Sequence, residues 1–176
     1  MSSALRSRVA DVLEPVAPAE RLAALRILVG AFASIYVIAR IPGFLSPLSQ
    51  QARSFAPVGA ARLLSEPMPA FALYGLLALT IGSSFAFVAG LRFRVSGPLF
   101  AATLLLLTSY RNSFGMIFHT ENLFVLHVAV LALTDSAAAW SLDARRAGVS
   151  PPPDRRFGWA IVLLSTVTVV AYLLAR

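Results

Sequence analysis

The chain has 176 residues, of which 58% are hydrophobic and 13% are charged. Soluble domains carry about 25% charged residues, so this composition and several apolar runs of roughly 20 residues predict an integral membrane protein. Cysteine is absent, which excludes disulfides, thiolate metal sites and a cysteine nucleophile. All fifteen basic residues are arginine, so no lysine of the chain can act as a base, and we attribute the net charge of +7 to membrane topology rather than to nucleic-acid binding.

The hydrophobic pattern predicts one domain over residues 1–176, an all-α membrane bundle of about five transmembrane helices. Residues 1–20 place apolar side chains on one helical stripe, which predicts an amphipathic helix on the membrane surface, with a frayed polar tail as the alternative. The predicted spans are residues 22–39, 70–91, 97–110, 114–134 and 157–174. Residues 43–68 are too polar and proline-rich to cross, and we expect them to pack on the bundle mouth or at the interface.

The loop arginines predict the topology. In the five-span arrangement, nine of them lie on the side of the amino terminus, the 92–94 turn and the basic, proline-rich loop at residues 141–156, and five lie on the other side. Arginine and lysine are enriched in cytoplasmic loops. The sequence therefore predicts a multi-pass protein of the cell membrane with a cytoplasmic amino terminus, an outer carboxyl terminus, and Arg111, His119 and Glu121 toward the outer leaflet.

The fourth predicted span and the residues just before it are unusually polar, with Arg111, Asn112, His119, Glu121, Asn122 and His127. Ionisable side chains in a membrane usually face the bundle interior or a wet cavity and have partners. On a helix, Glu121 points about 200° away from His119, so partners must come from a second helix. Arg26 is the other charge well inside a span, and we predict that it is a structural partner of Glu121 or Asp135.

The two histidines and their polar neighbours could serve a haem, a metal ion, an acid/base role or ligand binding. A bis-histidine haem is disfavoured because eight residues separate the two histidines, about 12 Å of helix, and a metal site is disfavoured because His119 and Glu121 diverge on a helix. We expect His127 to be a neutral, hydrogen-bonded histidine of the bundle core, and His119 at the mouth to be a catalytic acid/base or a ligand hydrogen bond. Arg111, Asn112, Glu121 and Asn122 are the candidate binding residues. Four glycines are assigned to helix packing: Gly30, Gly75, Gly82 and Gly90.

Six segments occur in an order and spacing that resemble the amino-terminal part of the HTTM family, the membrane domain related to vitamin K-dependent gamma-carboxylase. They are RLAALRILVG (21–30), FAPVG (55–59), RFRVSGP (92–98), YRNSFGMIFHTENLF (110–124), WSLD (140–143) and RFGW (156–159). The carboxylases oxidise a reduced naphthoquinone with oxygen to an epoxide, which generates a strong base for the carboxylation of glutamate side chains at the outer or luminal mouth. The resemblance therefore implies a lipid- or quinone-binding site at the outer mouth, with a reduced quinone as the cofactor.

The chain also differs from the family in one respect, the motif that holds the catalytic lysine. The family continues beyond the fifth span into a motif that holds the catalytic lysine, whereas this chain ends at Arg176 and contains no lysine. We therefore expect a chain that is truncated relative to the family and not catalytically complete alone, with a second membrane chain as one way to complete the bundle.

Three functions remain open from the sequence. The first is a lipid or quinone site in an HTTM-type domain. The second is a non-catalytic accessory membrane subunit. The third is a transporter or channel subunit, which is disfavoured because the second, third and fifth spans carry only scattered Ser, Thr and Tyr. The expected partners are the lipid bilayer and the completing chain, and no nucleic acid.

Overall fold

The computed structural model of the protein describes residues 11–115, 119–148 and 151–174. Within these ranges the chain is helical without a β-sheet, which confirms the predicted all-α fold. The apolar helices are α1 (Ala19–Ala39), α3 (Ala70–Ala89), α4 (Phe93–Asn112), α5 (His119–Ala132) and α7 (Arg155–Leu174). Between them lie two short helices, α2 (Ile41–Leu45) and α6 (Leu142–Ala147), and three 3-10 turns, Ser46–Ser49, Ala52–Ser54 and Gly59–Leu63.

Four of these helices, α1, α3, α4 and α7, are long and apolar enough to cross a membrane. Helix α5 occupies the predicted span at 114–134 and has 14 residues, about 21 Å of helix, which is shorter than a hydrocarbon core of about 30 Å. Large apolar side chains on α1, α3 and α7 are exposed, among them Leu28, Phe71 and Val169. Lipid tails cover such a surface favourably, so the fold has the character of a multi-pass integral membrane protein.

The chain reverses direction at each successive apolar helix. Tyr36, near the end of α1, contacts Glu121 at the start of α5, and Arg26, near the start of α1, contacts the chain just before α6. Helices α5 and α7 are antiparallel, since Asp135 after α5 pairs with Arg156 at the start of α7. The bundle therefore has two ends, which we call the Glu121 end and the Arg26 end.

The segment between α1 and α3 packs on the Glu121 end, as predicted. Its backbone N–H groups donate to side chains at the end of α4: Val58 to the Ser113 hydroxyl at 3.1 Å, Ala60 to the Ser109 hydroxyl at 3.2 Å, and Met68 to the Tyr110 hydroxyl at 3.0 Å. These bonds satisfy donors of a non-helical segment close to the membrane, where water is scarce.

Helix α4 begins four residues earlier than the span predicted at 97–110. The Asp143 carboxylate accepts the backbone N–H groups of Arg92 at 3.0 Å and Phe93 at 2.8 Å. These are orphan donors of a helix amino terminus, and a carboxylate there also stabilises the helix dipole. The cap comes from 50 residues away in sequence, so the local pattern of α4 could not show where it begins.

The two segments predicted outside the spans meet each other. Residues 1–10 of the amphipathic segment and residues 149–150 of the basic loop lie outside the described ranges. Ala17 and Asp154 exchange backbone hydrogen bonds at 3.2 and 3.0 Å, and Arg155 pairs with Asp11 at 2.6 Å. The loop at 141–156 is partly helical, because the Ser141 hydroxyl caps α6 by accepting the Ala144 N–H.

The four glycines assigned to helix packing play different roles. Gly30 sits where α1 meets α3: a Cβ there would lie 2.8 Å from the Phe87 ring. Gly90 ends α3 with φ +61°, a left-handed conformation that favours glycine. The packing assignment is wrong for Gly75 and Gly82, because a Cβ on either would meet nothing within 4 Å.

We predict that Gly30→Ala destabilises the fold by about 1–3 kcal/mol, since the new methyl group must displace the fully buried Phe87 ring. Gly75→Ala is the matched control and should be neutral or stabilising by up to about 1 kcal/mol, because alanine favours the helix and the space is open. Thermal unfolding followed by circular dichroism in detergent measures both. Equal stability of the two variants would contradict the close α1–α3 approach.

Candidate functional site

A buried ion pair joins α4 to α5 at the Glu121 end. Arg111 Nη2 lies 2.6 Å from Glu121 Oε1, and the two side chains are 7% and 1% exposed. A buried charge without a partner costs several kcal/mol, and pairing offsets this cost when the geometry is good. The pair therefore fixes the end of α4 against the start of α5.

Tyr36 brings a third helix into this cluster, and the sequence analysis missed it. Its hydroxyl donates to Glu121 Oε1, the oxygen that Arg111 also contacts. Its ring packs on Phe124 with a centroid distance of 5.0 Å, and the Arg111 guanidinium lies 5.0 Å from the centroid of the Phe44 ring. A tyrosine in the last turn of a predicted span was the available signal, because tyrosine favours membrane interfaces with its hydroxyl hydrogen-bonded. We call Tyr36, Arg111 and Glu121 the polar cluster.

The other predicted site residues divide into those near the polar cluster and those apart from it. Asn112 is buried beside Arg111, and its Oδ1 and Glu121 Oε2 have no hydrogen-bond partner among the described residues. Asn122 is exposed, so the structure does not bring it into the cluster. The side chain of His119 lies outside the described part of the chain, and its catalytic role remains a prediction.

The predicted pairing of Arg26 with Glu121 or Asp135 is wrong. Glu121 pairs with Arg111, and Asp135 lies 3.3 Å from Arg156 in a half-exposed pair. Arg26 is fully buried at the opposite end of the bundle, about 15 Å along α1 from Tyr36.

Arg26 instead joins α1 to the chain that precedes α6. Its Nη2 donates to the Trp140 carbonyl at 2.6 Å, its guanidinium lies 5.8 Å from the centroid of the Phe93 ring, and the Asp143 carboxylate attracts it. Gly90 leaves the space that the guanidinium occupies, since a Cβ there would overlap Nη1. Arg26 therefore contacts the Trp140 carbonyl and the Phe93 ring in place of the predicted carboxylate partners.

A cleft of about 490 Å³ opens between α1, α5 and α7 beside the polar cluster. Its walls are mostly apolar and include Tyr36. The lining residues are Leu28, Val29, Phe32, Tyr36, Leu123, Phe124, His127, Thr168 and Tyr172. Because Tyr36 lines the cleft and its hydroxyl binds Glu121, this residue connects a mostly apolar cavity to a buried charge pair.

His127 lies in this cleft and is hydrogen-bonded at both ring nitrogens. Nδ1 is 2.7 Å from the Leu123 carbonyl and Nε2 is 3.0 Å from the Thr168 hydroxyl. A carbonyl only accepts hydrogen bonds, so Nδ1 carries the hydrogen, and in a neutral ring Nε2 is the acceptor. The prediction of a hydrogen-bonded histidine is confirmed, although the ring is only partly buried.

The hydrogen-bonding capacity of the cleft depends on which acceptors already receive the hydrogens of its polar side chains. Tyr36 gives its hydroxyl hydrogen to Glu121, and His127 gives its Nδ1 hydrogen to Leu123. The single lone pair of His127 Nε2 faces the Thr168 hydroxyl, so the Tyr36 oxygen is the acceptor that suits a ligand with a hydrogen-bond donor. No group of three or more His, Cys, Asp or Glu side chains among the described residues is placed to hold a metal ion.

We predict that Glu121→Gln and Arg111→Met each destabilise the bundle by about 3–5 kcal/mol, because each leaves a buried charge without its partner. The double variant should lose at least about 1 kcal/mol less than the sum of the single losses. Denaturant unfolding in mixed micelles measures the free energy of unfolding of the parent, the two single variants and the double variant. The control is Arg62→Gln at an exposed position, which should stay within about 0.5 kcal/mol of the parent. Strictly additive losses would contradict the ion pair.

Comparison with known proteins gives no match. No family model matches the chain, and neither a curated protein nor a solved structure is significantly similar to it.

Proposed function

We propose that the chain is an HTTM-type integral membrane protein, related to the membrane domain of vitamin K-dependent gamma-carboxylase, that binds a lipid-soluble molecule in the cleft between α1, α5 and α7. One observation carries this proposal. Tyr36 lines the apolar cleft and is hydrogen-bonded to the buried Glu121, which pairs with Arg111. An apolar tail and a polar head of one ligand would thus each find a complementary surface.

The size and lining of the cleft support a small amphipathic ligand. Ligand pockets commonly measure about 300–1,000 Å³ and combine apolar walls with a few polar groups, and the cleft has about 490 Å³. The Tyr36 oxygen can accept a hydrogen bond as well as donate one, which favours a molecule with hydroxyl hydrogens. A reduced quinone has such hydrogens, whereas an oxidised quinone offers only carbonyl acceptors.

The packing of the segments that resemble the HTTM family supports the relationship. Segments 21–30, 92–98 and 140–143 meet at the Arg26 end, where Arg26 contacts both the Trp140 carbonyl and the Phe93 ring. Segments 55–59 and 110–124 meet at the Glu121 end through the hydrogen bond from the Val58 N–H to the Ser113 hydroxyl. Segments that occur together in the sequences of a family are expected to contact one another in its fold.

The proposed orientation places the Arg26 end in the cytoplasm and the polar cluster toward the outside. It is supported by the arginine count, nine against five, and by the reversal of chain direction at each apolar helix. The proposed activity is the binding of a ligand in the cleft.

A non-catalytic accessory subunit is the second candidate. The direct pairing of Arg111 with Glu121 favours this role, because an ion pair between two helices of the same chain can hold them together without a ligand. The two candidates differ in whether the cleft has a specific occupant.

The test uses the full chain in nanodiscs and a short-chain naphthoquinol with its dimethyl ether as probes. We expect the quinol to bind about tenfold more tightly than the ether, since the ether lacks the donor hydrogens. Native mass spectrometry under anaerobic conditions measures both affinities.

A pair of variants shows whether the cleft is responsible for this binding. Thr168→Phe fills the space beside His127 and should weaken binding at least about tenfold. Thr166→Phe, on the exposed face of the same helix, should leave it unchanged. Binding of neither probe, or equal effects of the two variants, would contradict the proposed function and favour the accessory role.

A further inference from the structure

A second pocket lies at the Arg26 end, on the far side of the bundle from the polar cluster. It has a volume of about 550 Å³ and lies where the start of α4, the turn after α5, α6 and the start of α7 meet. Arg94 and Arg156 are its arginines, and the apolar part of its lining includes Phe93 and Leu133. We call it the arginine pocket. It combines guanidinium groups with an apolar floor and shares Phe93 with the contacts of Arg26.

Two carboxylates also line the arginine pocket, and both are already engaged. The two oxygens of Asp143 accept the backbone N–H groups of Arg92 and Phe93. Asp135 lies 3.3 Å from Arg156, in a pair whose side chains are 59% and 50% exposed. Exposed pairs of this kind are weak and exchange readily with other anions. Arg94 is exposed, and no ion pair joins it to a carboxylate among the described residues.

The pocket lining carries two arginines and two aspartates, and the segments that form it are rich in arginine. Residues 92–94 and 135–156 contain six arginines and three aspartates, a net charge of +3. Arg94 is the second residue of α4 and Arg156 the second residue of α7, both helices long and apolar enough to span a membrane. The first turns of spanning helices lie at the level of lipid headgroups.

We propose that the arginine pocket binds the phosphate of an anionic membrane phospholipid. The guanidinium groups of Arg94 and Arg156 hold the phosphate oxygens, with Arg156 exchanging its contact to Asp135 for the ligand, and the apolar floor holds the glycerol and the first methylenes of the acyl chains. Arginine suits this role because its planar fork of donors matches phosphate geometry, and basic pockets at the ends of spanning helices attract anionic lipids. This site is independent of the cleft and of its ligand.

The test compares phosphatidylglycerol and phosphatidylcholine with the same acyl chains, titrated into the detergent-solubilised full chain and followed by native mass spectrometry. Phosphatidylglycerol should bind more tightly, and Arg94→Gln or Arg156→Gln should weaken it about fivefold each. The matched controls are Arg53→Gln and Arg62→Gln, which remove the same charge from exposed positions at the opposite end and should change binding less than about twofold.

Three results would overturn the proposal. The first is an equal loss of phosphatidylglycerol affinity in all four variants, which would show that only the net charge of the protein affects binding. The second is equal binding of the two lipids. The third is competition by glycerol 3-phosphate at the same concentration as the lipid, which would assign the pocket to a soluble phosphate ester. Unchanged thermal unfolding of Arg94→Gln and Arg156→Gln is expected, since both side chains are exposed, and shows that any loss of binding is local.

Discussion

The bundle depends on a glutamate and an arginine that are buried together at one of its ends. Glu121 is 1% exposed, and neither it nor Arg111 could remain charged there without a partner, except at a cost of several kcal/mol. The contact sets the relative height of α4 and α5, and the hydroxyl of Tyr36 adds α1 to the same carboxylate oxygen. Three helices are thus held in register by one carboxylate, and the cleft lined by Tyr36 has its position because of it.

The opposite end relies on hydrogen bonds to backbone groups, and its ion pairs among the described residues, Arg156 with Asp135 and Arg155 with Asp11, are exposed. Arg26 donates to the Trp140 carbonyl, and Asp143 caps α4 through the N–H groups of Arg92 and Phe93. These bonds connect helix ends that are far apart in sequence, and they satisfy donors and acceptors that water reaches poorly in a membrane. The two ends also differ in what they offer a ligand: the Glu121 end has a mostly apolar cleft beside buried charges, and the Arg26 end has an exposed pocket with two arginines.

The sequence predicts the helices well because apolar runs are a local property. It also identifies Glu121 and Arg111 as unusual, since charge inside a hydrophobic stretch is visible without a structure. It fails where the answer depends on which helix ends meet. Arg26 is predicted as a partner of Glu121 because it is charged and lies well inside a span, but its position about 15 Å along α1 from Tyr36 excludes that contact. The start of α4 depends on Asp143, and the role of Tyr36 depends on the angle between α1 and α5, neither of which a single sequence records.

The most direct test of the central claim is the distance between the Arg111 guanidinium nitrogens and the Glu121 carboxyl carbon in a lipid bilayer. Solid-state NMR dipolar recoupling measures it in protein labelled with ¹⁵N in arginine and ¹³C in the glutamate carboxyl groups. The ion pair predicts a nitrogen–carbon distance of about 4 Å or less. No other glutamate is in an ion pair within the described ranges, so the signal should disappear in Arg111→Met. Absence of recoupling in the parent chain, or a signal that survives this substitution, would contradict the account.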